Sequence, residues 1–438
     1  MNSVLGWAKT NWLIIVFVVV MIASLVAGYI GSDMWGSSLR QDFQTRVGQR
    51  LQQVQGARVS YSIPPLAAGE QSVGDSGPPN AEKTRWFRER IESRVAQAAA
   101  LVREAEQFNQ GINQAESNRI GHRPSLPGIF PAPRRERIPN IFLDFRDMVN
   151  GARGQPSMVA ALLNRYGAGP AANLRRVEAV LADVRDREVE AIVTETGAQP
   201  TAEAMERITR MLSERRVQEY QRAARDFSMY ATDAAIAITP MPAQGTPTLE
   251  DCFRWQWDYW IASDIMAALS MANTDDVGLR TEVDRSVVKR IEAIRVEPLR
   301  LPRQSEDPFG GGNPTEQVTP PATITGRPGD SQDYDVRYVT LDVIVASERL
   351  PELFNALAAT NFFTVVDMNL RQVDGWQDLR AGYYYGSDNV IRASLKIETV
   401  WLRSWTGPLM PESVRQPLGV IVPEAAPEGA AGSDTGGN

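Results

Sequence analysis

The run Leu13–Ile30, LIIVFVVVMIASLVAGYI, constrains this chain more than any other stretch. No charged residue occurs between Lys9 and Asp33. A helix of roughly 20 apolar residues crosses the hydrocarbon core of a bilayer. Trp7 and Trp12 flank one end and Tyr29 and Trp35 the other, where amphipathic rings favour the interface. The run therefore predicts a membrane-spanning helix over residues 13–30. A cleaved signal peptide would have a shorter apolar core and a small-x-small cleavage site, and the pair Ala27 and Tyr29 fits such a site poorly. Within the span, Ala23, Ala27 and Gly31 recur at four-residue steps, as do Ser24, Gly28 and Ser32. Such small residues let two helix backbones approach closely, although they are also common in bare anchors.

Residues 1–12 are expected to form a cytoplasmic stub. Lys9 lies before the span and Arg40, Arg46 and Arg50 lie after it, so the charge rule for orientation is uninformative or slightly adverse. Long domains translocate largely regardless of charge. The expected topology is a single-pass protein of the inner membrane, with the bulk of the chain in the periplasm.

Composition excludes several chemistries. The chain of 438 residues has a formal net charge of −7, against the clustered basic surface that nucleic acid requires. It has one cysteine, Cys252, and one histidine, His122. No intrachain disulfide and no Cys/His zinc site can form from these. A Ser-His-Asp triad would have to use His122, which lies in a loop without a nucleophile-elbow sequence and is expected to be exposed. No catalytic, cofactor-binding or metal-binding residue is predicted.

Beyond the span, residues 36–107 read as helical arms with an irregular break between Ser62 and Asn80. The first arm places Leu39, Phe43, Val47 and Leu51 on one stripe, a narrow apolar seam. Residues 140–230 read as an all-helical segment of no evident purpose. Residues 231–403 alternate strand and helix. AAIAIT at 234–239 is a strand candidate, Leu249–Met271 a strong helix, and Val287–Glu297 a strand. Asp335–Ala346 is a strand in which Val339, Leu341, Val343 and Val345 alternate with Thr340, Asp342 and Ile344, followed by a helix to Thr360 with the stripe Leu350, Leu353, Phe354 and Leu357, and by a strand at Phe362–Val373. The last strand, Val390–Leu402, alternates cleanly, with Ile391, Ala393, Leu395 and Ile397 inward and Arg392, Ser394, Lys396 and Glu398 towards solvent. A Gly/Pro-rich linker at 302–331 interrupts this region, and 423–438 reads as a disordered tail. The predicted class is α+β, ending in a ferredoxin-like (split βαβ) domain with helices on one face of an antiparallel sheet.

This layout resembles the PilO/GspM-type inner-membrane proteins of type IV pilus and type II secretion assemblies. The closest echo is the block YVTLDVIVASERLPELFNALAATNFFTVVDMNLRQV followed by IRASLKIETVWL. The resemblance lies in element order and implies a non-enzymatic bitopic scaffold that forms a homodimer, or a heterodimer with a similar membrane protein. A membrane-anchored periplasmic ligand-binding or sensory module is the alternative.

Candidate partner-binding residues fall in three places. The first is the arm seam Leu39, Phe43, Val47 and Leu51. The second is the helix carrying Phe253, Trp255, Trp257, Tyr259 and Trp260. Its aromatics cover more than one face, which leaves Trp255 and Tyr259 either for packing against the helical segment or for a partner. The third is a tip with Trp376, Tyr383, Tyr384 and Tyr385, which either closes over its own hairpin or touches a partner. Asp251, Asp258 and Asp264 on the aromatic helix read as a solvated face. The expected partners are the lipid bilayer and another bitopic chain, with no nucleic acid.

Overall fold

The computed structural model describes residues 11–66, 69–112, 121–152, 154–299, 323–328 and 331–421. The predicted stub up to residue 10, most of the predicted linker and the predicted tail lie outside the described residues. The chain divides into two compact units, residues 1–103 and 104–438.

The first unit opens with α1, Trp12–Gly56, a single helix of 45 residues. The membrane-length run and the first arm are thus one unbroken element. No proline occurs in it, and its glycines do not interrupt the backbone hydrogen bonding. Trp12–Gln53 includes a window apolar and long enough to cross a membrane. The expected irregular break contains a hairpin, β1 (Val59–Ile63) paired antiparallel with β2 (Val73–Gly77). The hairpin packs on α2, Ala81–Gln110, where Tyr61 stacks on Phe87 at 4.8 Å and bonds Thr84 Oγ1 at 2.6 Å.

The second unit is α+β, as its alternating pattern predicted. Its helical segment comprises α3 (Ile138–Asn150), α4 (Met158–Arg165), α5 (Leu174–Thr196) and α6 (Ala202–Ala224). Each of α4, α5 and α6 is started by a polar side chain, Ser157, Asn173 and Thr201, accepting from a backbone N–H of the first turn. Two-residue strands β3 (Ala168–Gly169) and β4 (Met229–Tyr230) bracket α5 and α6. A third, β5 (Ile236–Ala237), precedes α7 (Leu249–Ala272). Then come β6 (Val288–Val296), β7 (Tyr334–Ala346), α8 (Leu350–Thr360), β8 (Phe363–Gln372), α9 (Gly375–Arg380) and β9 (Val390–Leu402). The chain closes with the short helices α10 (Arg403–Thr406) and α11 (Glu412–Arg415).

The sheet runs β3-β4-β6-β7-β9-β8, with β5 also beside β6. Pairings among β6, β7, β9 and β8 are antiparallel, and those of β3, β4 and β5 are parallel. The sheet is therefore mixed. One βαβ unit is split: β7 and β8, joined by α8, have β9 between them. The other is not, because β5 lies directly against β6. The ferredoxin-like arrangement expected from element order is thus not confirmed. The added strands are too short to bear a period-2 pattern.

α7 and α8 cover one face of the sheet, over Val339, Leu341, Val343, Ala393, Leu395 and Ile397, all buried. α3 and α4 pack on the outer side of α7, so nearly every side chain of α7 is inside. The core continues past β9 to Trp405, Met410 and Val414. On the other sheet face Glu398, expected to point to solvent, is covered. Residues 323–328 lie across it, with Thr325 Oγ1 donating at 2.5 Å and Arg327 forming an ion pair.

This burial has a pH signature. Desolvation pushes the Cys252 thiol from its ordinary 9.0 to about 12, and the Tyr230 and Tyr259 hydroxyls from 10.0 to about 12. An unfolded chain releases these protons earlier than the folded one. Their contribution is therefore complete below about pH 9 and is lost as pH rises towards about 12. The urea midpoint should fall steadily over that window, less steeply in Cys252→Ala. A flat midpoint would contradict this burial.

Candidate partner-binding surfaces and a buried polar core

α7 begins at a capping box, Thr248 with Asp251, which accounts for the first of its three aspartates. The other two are not on a solvated face. Asp258 and Asp264 are 1% and 0% exposed, and both are paired. Arg337 of β7 donates to Asp258 Oδ1 at 2.6 Å and to the Glu297 carbonyl at 2.7 Å. Thr239 donates to Asp258 Oδ2 through its hydroxyl at 2.5 Å and its N–H at 3.2 Å. The Arg337 guanidinium also lies 5.2 Å from the Trp257 ring centre.

Asp264 anchors a larger network. Its Oδ1 meets His122 Nε2 at 3.0 Å, and its Oδ2 accepts from Asn361 Nδ2 at 2.6 Å. His122 Nδ1 donates to the Asn109 carbonyl at 3.0 Å. The Asn109 side chain, near the end of α2, donates to Val400 O and Asn361 Oδ1, and accepts from Leu402 N–H and Trp405 Nε1 at 2.7–2.9 Å. The imidazole stacks on Trp405 at 5.5 Å and lies 4.9 Å from Trp401. His122 is 1% exposed, which corrects the expectation of a solvated loop histidine. Its contacts come from residues far away in sequence, which local pattern does not reveal. The carboxylate–imidazole pair has the elements of an acid–base dyad, but both groups are buried among the described residues. Its evident work is to pin the end of α2 and residues 121–123 onto α7 and the ends of β8 and β9.

The predicted partner residues divide accordingly. Leu39, Phe43, Val47 and Leu51 are all exposed on α1. Trp255 and Tyr259 are inside: Trp255 meets Phe145 of α3 edge-on at 5.7 Å and stacks on Tyr259 at 5.1 Å. The helical segment is what their side of α7 packs against. The tyrosine tip folds back onto its own unit. Tyr383 lies under the Arg290 guanidinium at 3.9 Å, Gln221 donates to the Tyr384 hydroxyl at 3.0 Å, and buried Tyr385 donates to Asp378 at 3.0 Å. Trp376 stays 74% exposed at the start of α9. One further surface is not marked by residue pattern. β8 is an edge strand whose Met368 and Leu370 are each 45% exposed, beside an open groove lined by Phe354, Leu357, Phe363 and Val365. Among the described residues, no group of three or more His, Cys, Asp or Glu side chains is placed to hold a metal ion.

No family model matches this chain, and no curated protein matches it. Among solved structures it is similar to the type 4 fimbrial biogenesis protein PilO from Pseudomonas aeruginosa, at 13% sequence identity and a TM-score of 0.15. The match covers 26% of this chain and 55% of that one, so the chain spans about half the length of the solved protein.

Removing one member of a buried pair leaves the other charged or polar group unsatisfied. Asp264→Ala should lower stability by about 3–5 kcal/mol. Asn109→Ala, which orphans the Leu402 N–H and the Trp405 Nε1–H, should cost about 1–3 kcal/mol per group. Urea titration of the solubilised chain measures both. A loss below about 1 kcal/mol in either variant would show that the network is not closed as described.

Proposed function

We propose that this chain is a non-enzymatic, single-pass scaffold of a bacterial envelope-spanning assembly, of the type IV pilus or type II secretion kind. It sits in the inner membrane with its second unit in the periplasm, and it pairs with itself or with a similar bitopic protein. The observation that carries the reading is the continuity of α1. A membrane-length apolar stretch passes without a break into an arm that presents Leu39, Phe43, Val47 and Leu51 to the outside. At 3.6 residues per turn, Gly28, Ser32, Gly36, Leu39 and Phe43 fall within about 80° of one another. The small-residue stripe of the span therefore runs into the apolar seam of the arm on one helix face. A Cβ built at Gly28 or Gly36 meets nothing within 4 Å, leaving room for a second backbone. Parallel helices anchored in one bilayer meet along such a face at matched depth. The element-level resemblance to PilO/GspM-type proteins points to the same role.

Alkaline phosphatase fused after Ile421, beyond the folded core, should be active. Phe43→Glu with Leu51→Glu should weaken association in membranes while leaving the urea midpoint of the second unit unchanged, because each introduced charge would have to be desolvated at the contact. An inactive fusion would overturn the orientation. A chain that is monomeric in membranes and captures no similar bitopic protein would overturn the scaffold role and leave an anchored binding module as the reading.

A further inference from the structure

Among the described residues, β8 closes one side of the sheet with its outer edge unpaired. Natural edge strands are usually blunted by charge, twist or cover, because a free row of N–H and C=O groups recruits other strands. β8 has charges, but they are arranged in an unusual way. Its alternation puts Asp367, Asn369 and Arg371 on the open polar face, in line with Lys396, Ser394 and Arg392 of β9. Met368 and Leu370 lie on the helix-covered face, in line with Leu395 and Ala393, yet remain half exposed. Arg371 sits opposite Arg392, an unfavourable like-charge neighbour. Arg392 is already held by Glu292 at 2.6 and 2.8 Å. Among the described residues, Arg371 has only its own strand's Asn369 as a partner, at 3.2 Å. Asp367, among the same residues, accepts only from the adjacent Met368 N–H, at 2.9 Å.

Two copies of this strand laid antiparallel about a two-fold axis supply what each lacks. With the axis through Asn369, each Asp367 faces the other copy's Arg371, and each Met368 faces the other copy's Leu370. Moving the centre by one residue to Met368 sets Asp367 against Asn369 and Val365 against Arg371. Moving it to Leu370 sets Arg371 against Asn369. Only the Asn369-centred register, of these three, satisfies both the charges and the apolar pair. In that register Gln372 of the second copy lies opposite Val366. Its chain leaves the strand there, beside the groove lined by Phe354, Leu357 and Phe363, and its exposed Trp376 follows four residues later. We infer that β8 is a homodimer interface, in which a second copy of this chain pairs antiparallel about Asn369, joins the two sheets into one and brings Trp376 to the groove. The inference deepens the scaffold reading by naming the copy and the surface, and it is independent of pairing along α1.

The test is oxidative cross-linking of the full-length chain in membranes. The parent thiol, Cys252, is buried and serves as a silent background. Asn369→Cys should give a disulfide-linked dimer, since residues facing each other across an antiparallel pair have Cα atoms about 4.5–5.5 Å apart. Arg295→Cys, on the same sheet face but on β6, should not. In the Asn369→Cys chain, Arg371→Asp or Asp367→Arg alone should slow cross-linking about tenfold, because two attractive cross-strand pairs become repulsive. Asp367→Arg combined with Arg371→Asp should restore it, which excludes misfolding as the cause. Phe43→Cys reports α1 pairing separately. If Phe43→Cys cross-links and Asn369→Cys does not, strand pairing is overturned and the scaffold reading stands. If neither cross-links, strand pairing is overturned, and the scaffold reading falls with it when no similar bitopic protein is captured either. If single reversals cross-link as fast as Asn369→Cys alone, the register is wrong and the proposal is overturned.

Discussion

Two carboxylates inside α7 set the terms on which the second unit folds. Removing an ionised carboxylate from water is costly unless hydrogen-bonding partners replace the solvent. Asp258 obtains Arg337 from β7 and Thr239 from the segment before the helix. Asp264 obtains His122 and Asn361. These partners are spread over the chain from before α3 to the turn between α8 and β8. The apolar surface of α7 supplies attraction in every direction and tolerates sliding or rotation. The two acids do not, because a shift of one residue along the helix would leave each of them buried and unpaired. Asn109 extends the same logic to the end of α2, where one amide closes four hydrogen bonds against β9, α10 and Asn361.

The parts legible in the sequence are those whose environment is uniform along an element. The uncharged run Leu13–Ile30 announces a membrane-length helix. The alternation in β7 and β9 places Val339, Leu341, Val343, Ala393 and Leu395 inward, as found. The stripe Leu350, Leu353 and Leu357 places α8. What was not legible depends on contacts distant in sequence. The hairpin of β1 and β2 lies in a Pro/Gly/Ser-rich stretch without strong alternation. β3, β4 and β5 have two residues each and exist only because the sheet is there to receive them. Taken by their spacing alone, Asp258 and Asp264 suggest a solvated side, although α7 is apolar all round. That contrast was itself the available signal: acids on a helix with no polar face have to find partners inside. The same all-round character explains why Trp255 and Tyr259 are inside. His122 carried no signal, since a lone histidine in a Pro/Arg-rich loop gives no hint of three tryptophans around it.

The account rests on a division of labour. α1 is long and apolar enough to cross a membrane, and it presents an apolar seam in its second half. The second unit, held rigid by buried polar pairs, offers a free strand edge. Both surfaces expose apolar side chains, and the scaffold proposal assigns each of them to contact with another chain. The most direct test is to extract the full-length protein from its membrane into polymer-bounded native nanodiscs and measure the mass of single particles. The account predicts particles that hold two copies of the chain, or one copy with a similar bitopic protein. A population consisting only of single chains, with no co-extracted partner at the membrane's own protein density, would contradict it.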